Sequence, residues 1–164
     1  MTDVHSLLKD RGYDSVMLVP ADAGLRIMYR KMGYEDCTSV SQRACSAGEI
    51  AAEIRSIGTE EYAALRRKLL PEASVLQEGL QLSFLAAQAQ LFAGEDFLLA
   101  AYLDGEILRG MELLGNPEAA PGVLRALGCK QGVFQIPGSE LPFAMIHKLT
   151  ESAVSPGYFG FSFD

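Results

Sequence analysis

Two apolar runs, Phe97 to Leu103 and Ile107 to Leu114, are separated only by Asp104-Gly105-Glu106, and no other stretch narrows the fold as far. Asp-Gly between apolar runs signals a hairpin, because glycine takes the positive φ that a tight turn demands. Two antiparallel strands are therefore predicted, forming a central hairpin around which the other elements are arranged.

Downstream, Asn116 followed by Pro117 reads as an N-cap with proline at the first helical position. A helix is predicted over Pro117 to Leu127, or from Pro121, with Gly128 ending it. Val133 to Ile136, Phe143 to Leu149 and Tyr158 to Phe163 read as three strands parted by Pro137-Gly138 and Pro156-Gly157 turns. Three phenylalanines of the last strand would share one face as core.

Upstream of the hairpin, Ile50 to Ile57 reads as a strand and Thr59 as the N-cap of a helix over TEEYAALRRKLL that stops at Pro71. Ser74 to Phe92 is predicted as one longer helix, with Leu76, Leu80, Phe84, Ala87 and Leu91 as its apolar stripe and Gly94 as its stop. Nearer the start come a short helix over residues 3 to 11, carrying Val4, Leu7 and Leu8, and a strand from Ser15 to Val19. A helix capped by Asp22 follows, bearing Leu25, Met28, Tyr29 and Met32 and ended by Gly33. Asp36 to Ser46 reads as a half-exposed strand.

The 164 residues carry a formal net charge of -7, which leaves no basic footprint for nucleic acid. Arg66-Arg67-Lys68, the only compact basic run, reads as the solvated face of a helix. Cys37, Cys45 and Cys129 lack C-x-x-C spacing and fit neither a disulfide framework nor a zinc site, so no metal is expected and a reducing cytoplasm is. The start of the chain has no secretory pattern, and no apolar stretch is long enough to cross a bilayer.

From residue 50 onward the predicted order is strand, helix, helix, hairpin, helix, strand, strand, strand. With SVMLVPADAGLRIMYRKMGY at 15 to 34, this order resembles the GNAT (Gcn-related) N-acetyltransferases. Pro20, Leu25, Tyr29, Lys31, Gly33 and Tyr34 match that family's strand, turn and Y-x-K-x-G-aromatic pattern, with Leu25 in place of a common alanine and Asp22 in place of asparagine. One helix of the family is missing between Ile136 and Phe143, and its counterpart lies early in the chain. The chain thus resembles the tail of one GNAT repeat, residues 1-48, joined to a divergent second repeat, residues 49-164, as in bacterial tandem-GNAT proteins. The closing YFGFSFD is similar to the ends of such proteins. The resemblance implies an α+β fold, with a mixed, mostly antiparallel twisted sheet flanked by helices.

It also implies acetyl transfer from acetyl-CoA to a small-molecule or peptide amine. Tyr29 then stands where many family members place the acid that protonates the departing thiolate, and a phenol suits that role because it stays protonated at neutral pH. The plainer reading is a packed tyrosine whose hydroxyl bonds to backbone. Glu112, at the end of a hairpin strand, stands where the family often places a base, beside the plainer reading of a solvated carboxylate. Glu53, Glu60, Glu61 and Glu106 are undistinguished alternatives. In the enhanced-intracellular-survival type the C-terminal carboxylate acts as base, which makes Asp164 a third candidate. His147 reads as a partly exposed strand histidine and His5 as a terminal one.

The family's cofactor loop, Q/R-x-x-G-x-G/A after its fourth strand, has no match. Its nearest counterpart, Gly115 to Gly122, carries two prolines that remove N–H donors and Glu118, which sets a negative charge near any phosphate. Three readings stay open: an acetyltransferase, an inert GNAT-like binding module, and a fragment of a longer tandem protein. An orphan first-repeat tail would also seek a sheet edge, so a homodimer is expected.

Overall fold

The structure, a computed structural model, describes residues 2 to 162, with side chains from residue 4 onward. In chain order the elements are α1 (Thr2–Asp10), β1 (Ser15–Leu18), α2 (Ala23–Lys31), β2 (Glu35–Asp36) and β3 (Ser39–Ser46). There follow β4 (Arg55–Ser56), α3 (Thr59–Leu69), α4 (Leu80–Gln88), β5 (Gln90–Ala93), β6 (Phe97–Asp104) and β7 (Ile107–Gly115). A 3-10 turn over Pro117–Ala119 leads into α5 (Ala120–Ala126), then β8 (Gln131–Pro137), β9 (Leu141–Pro142) and β10 (Met145–Lys148).

The Asp-Gly turn joins β6 to β7 as expected, with Gly105 at φ 62. These strands sit inside a seven-stranded sheet ordered β4-β5-β6-β7-β8-β3-β9, and a three-stranded sheet has the order β1-β10-β2. Among these strands all pairings are antiparallel except β7 with β8, which is parallel from Ile107↔Gln131 to Gly110↔Phe134. The fold is α+β with a mixed, mostly antiparallel sheet.

Elements from opposite ends of the sequence interleave. β3 lies in the large sheet against β8, and β10 lies between β1 and β2 in the small one. Each sheet therefore depends on both halves of the chain.

At Leu91 to Ala93 of β5 and Phe97 to Ala101 of β6 the large sheet buries both faces, and these stretches are apolar throughout. Leu98, Ala100 and Leu114 pack under α3 and α4 with Tyr62, Leu82 and Leu85, while Leu99, Ala101, Leu108 and Leu113 pack on the other side with Val123, Leu124 and Phe134. Fully burying a leucine is worth about 1.5–3 kcal/mol, so these two layers dominate the stability.

Strand alternation is broken once. The register slips between Ala100↔Glu112 and Ala101↔Gly110, leaving Met111 as an extra residue, a β-bulge. With strict alternation Glu112 would share the α5 face with Leu108 and Gly110. The bulge turns it toward α3.

Several expectations are corrected. The helix expected over Ser74 to Phe92 is only α4: Gly79 turns the chain at φ 59, and Gln90 to Ala93 leave the helix to pair with β6 as an inner strand. Leu76 and Leu80 of the expected stripe are exposed, and the helix buries Leu82 and Leu85 instead. Of Ile50 to Ile57 only Arg55–Ser56 is strand, because Ala52 N–H donates to Gly122 O and the preceding residues follow α5. The cap of α3 is Gly58, with Thr59 already helical. Tyr158 makes one bridge, to Ser74, and no strand forms from there to Ser162; Phe163 lies outside the described residues. The buried aromatics there are Tyr158 and Phe161, three apart, rather than the alternate positions of a strand.

Candidate functional site

On α3, Tyr62 and Arg66 are one helical turn apart and face the sheet together. Opposite them the bulge presents Glu112, which is fully buried. Its carboxylate accepts from Arg66 Nε at 2.7 Å, Arg66 Nη2 at 2.9 Å, Tyr62 Oη at 2.9 Å and Tyr158 Oη at 3.2 Å. Burial alone would depress the Arg66 pKa, but the Glu112 carboxylate outweighs it and the guanidinium is held more firmly protonated. Burial, then the nearby Glu112 charge, push both phenols up. The Arg66 guanidinium also lies over the Phe161 ring, 5.2 Å from its centroid.

Glu112 is therefore not the solvated carboxylate of the plainer reading, nor does Arg66 lie on a solvated face. A buried charge must be paired, and here a bidentate arginine and two phenols fill its acceptor sites. A carboxylate so occupied has no lone pair turned toward a substrate amine. Arg67, by contrast, is exposed and paired with Glu78.

The β7–α5 turn is equally closed. Asn116 caps it by accepting the Glu118 N–H at 2.9 Å, and Ala119 N–H donates to Asn116 O. Gly48 N–H donates to Pro121 O, and a Cβ on Gly122 would stand 3.1 Å from Ala52. Residues 48 to 52 thus lie against the start of α5, and the Glu118 carboxylate, paired with Arg43, stands at the turn. A CoA pyrophosphate needs open N–H donors and positive charge. This turn offers neither, so residues 49–164 do not fit that group, and no step is derived through it there.

A second cluster occupies the small sheet. α2 is capped by Asp22, whose Oδ1 accepts from Leu25 N at 2.8 Å, and it docks through Arg26 and Arg30, both bonded to Asp36. Burial would raise the Asp36 pKa, but the two guanidinium groups outweigh it and hold the carboxyl below its usual range. Tyr29 lies half-buried on α2 with its ring 5.5 Å from that of Tyr34, edge to face. No hydrogen bond engages the Tyr29 hydroxyl among the described residues, whereas Tyr34 Oη and His5 Nε2 share one at 2.9 Å. His5 stacks on His147 at 4.1 Å, and His147 Nδ1 donates to Gly33 O at 2.9 Å. Burial first, then His147, lower the His5 pKa below its ordinary 6.5.

The structure thus places Tyr29 and Glu112 in different clusters, one on α2 beside the small sheet and the other on β7 of the large one, and Asp164 lies outside the described residues. Sequence reading missed Tyr62, Arg66, Gln77 and Tyr158 as one network, and His5 with His147 as another. The i, i+4 spacing of Tyr62 and Arg66 was the available signal for the first. Nothing local could reveal a stack between residues 5 and 147. The three cysteines are free thiols, and burial pushes Cys37 up to about 11. Among the described residues no group of His, Cys, Asp or Glu is placed to hold a metal ion, and no helix is long and apolar enough to cross a membrane.

No family model matches the sequence, and no curated protein does. Solved structures do match. A GCN5-related N-acetyltransferase from Kribbella flavida is similar over 90% of this chain and 46% of its own, at 16% identity and TM-score 0.61. A GCN5-related N-acetyltransferase from Anabaena variabilis covers 90% and 49%, at 12% identity and TM-score 0.63. A probable N-acyltransferase from Enterococcus faecalis covers 90% and 48%, at 12% identity and TM-score 0.60. The chain has the GNAT fold, and it spans about half the length of the solved structures it matches.

Proposed function

We propose that this chain serves acetyl-CoA-dependent N-acetylation of a small-molecule or peptide amine as one half of a tandem-GNAT arrangement, with Tyr29 as the general acid. The observation that carries this reading is the contrast in hydroxyls. Of the four tyrosines that are buried or half-buried, Tyr62, Tyr158 and Tyr34 each spend theirs on an internal partner, while that of Tyr29 is unbonded among the described residues. The closed β7–α5 turn makes residues 49–164 a scaffold, so acetyl-CoA would be held by a first repeat, on a longer chain or on a second subunit. Residues 1–48 would be the tail of that repeat. The exposed apolar side chains Val4 and Leu7 on α1, Ile27 and Met28 on α2 and Met32 at its C-cap favour such an added surface. The setting would be a bacterial cytoplasm, where the three thiols stay reduced.

A second reading, an inert GNAT-like binding module, is favoured by the same closed turn and by the saturated Glu112. Calorimetry with acetyl-CoA, on this chain joined to or mixed with the first repeat that the enzyme reading requires, decides between them. Binding, with Tyr29→Phe slowing turnover about 10²-fold at nearly unchanged affinity, is the expected result. No binding by that assembly at millimolar acetyl-CoA would remove the enzyme reading.

A further inference from the structure

Residues Tyr158 to Ser162 are held in an unusual way. They form no strand, yet their backbone is read by side chains. Gln77 uses both ends of its amide on one residue: Nε2 donates to Phe161 O at 2.8 Å, and Oε1 accepts from Phe161 N at 3.3 Å. Gln135 Nε2 donates to Gly160 O at 2.8 Å. Backbone support comes at its start, where Gly157 N–H donates to Ala73 O and Val75 N–H donates to Tyr158 O beside the Ser74–Tyr158 bridge. A side-chain amide that satisfies both polar groups of a residue stands in for a neighbouring strand, which is how a groove grips an extended peptide.

Two anchors flank the grip. Tyr158 and Phe161 are buried, Tyr158 reaching Glu112 and Phe161 lying beneath Arg66. Between them Gly160, at φ 107, leaves out a side chain where a Cβ would collide with Arg66 Nη2 and Gln77 Oε1. Aromatic anchors in desolvated pockets are the usual centres of binding energy. Of the wall beneath, Glu112 keeps Arg66 and Tyr62 when Tyr158 is taken away, and Gln77 keeps Arg66. A groove of about 380 Å³, lined by Ser162 together with Gln42, Tyr102, Arg109, Met111 and Gln135, adjoins the segment.

We propose that the cleft formed by α3, the 74–78 connection, β7 and β8 is a peptide-binding site whose resident ligand is the chain's own Tyr158–Ser162 segment. It accepts an extended aromatic-x-Gly-aromatic peptide, with side-chain amides reading the backbone on either side of the glycine. This goes beyond acetyl transfer and does not depend on it.

The test uses the full chain carrying Gly160→Val, which expels its own segment, and a labelled synthetic peptide of residues 155–162. Tethering gives the resident segment an effective concentration that a free peptide must overcome. The peptide should therefore bind the variant at least ~100-fold more tightly than the unaltered chain, and a peptide with both Tyr158→Ala and Phe161→Ala should not bind. Equal binding to both chains, binding of the doubly substituted peptide, or no binding to a variant whose circular dichroism shows it folded, overturns the proposal. If Gly160→Val does not fold, hydrogen exchange of the unaltered chain decides. The Phe161 amide exchanging at least ~10-fold faster than that of Leu99 supports a detachable ligand, and equal rates overturn it.

Discussion

The two sheets of this molecule treat polar groups in opposite ways. In the seven-stranded sheet each Glu112 oxygen is taken by two donors from among Arg66, Tyr62 and Tyr158, and α3 and α4 pack on one face with α5 on the other. In the three-stranded sheet α2 buries no residue, apolar side chains stand on the surface of both neighbouring helices, and the Tyr29 hydroxyl has no hydrogen-bond partner among the described residues. A saturated cluster adds rigidity and leaves nothing for chemistry. A cluster with spare valence is less stable and can act.

The largest effect that would break this contrast lies at Glu112. Glu112→Ala leaves a buried guanidinium unpaired and should cost about 3–5 kcal/mol in urea melts. Replacing the pair together, with Glu112→Leu and Arg66→Met, should recover most of that loss, since a buried ion pair adds little over packed apolar groups of similar volume. A small effect of Glu112→Ala would mean that the cluster is not sealed.

A smaller effect sharpens the other side. A histidine whose folded pKa lies below its unfolded value binds its proton less readily in the folded state. Its stabilising contribution is complete above 6.5 and is lost as the pH falls through 6.5 toward the lower folded value. Tyr34, which accepts or donates at His5 Nε2, stays neutral throughout, while His147 stacks on the same ring and Lys9 and Lys148 border it; none of these offers His5 a carboxylate. The melting temperature should fall from pH 7.5 to pH 5, and His5→Phe should remove part of that fall. An unchanged fall would show that the imidazole stack has no part in it.

Smallest of all is the expected stability change at Tyr29. With no bond made by its hydroxyl among the described residues, Tyr29→Phe should shift stability by less than about 0.5 kcal/mol in the same melts. A loss above about 1 kcal/mol would restore the plainer reading, a tyrosine kept for packing and backbone bonding.

The sequence made the central hairpin legible because Asp104-Gly105 is a local signal flanked by long apolar runs. It made α2 legible because Asp22 and Gly33 mark both ends. It misled at Ser74 to Phe92, where residues that suit a helix are divided by Gly79 and where Leu91-Phe92-Ala93 are claimed by pairing with β6, a tertiary preference that overrides local propensity. The Glu112 environment was illegible for a similar reason. One extra residue, Met111, decides which face it takes, and nothing around position 111 announces a bulge. Tyr29 could be named from its motif alone, but its unbonded hydroxyl depended on what the neighbouring helix and strands left open.

The exchange of strands between the two ends also fixes an order in time. Ser15 to Leu18 pair with Lys148 to Met145, so during synthesis β1 waits until residues 145 to 148 are made before it finds this partner. Until then β1 and β2 lack the strand that lies between them. The small sheet is therefore the last to close, and a ribosome stalled before residue 145 would hold β1 and β2 without the strand that joins them.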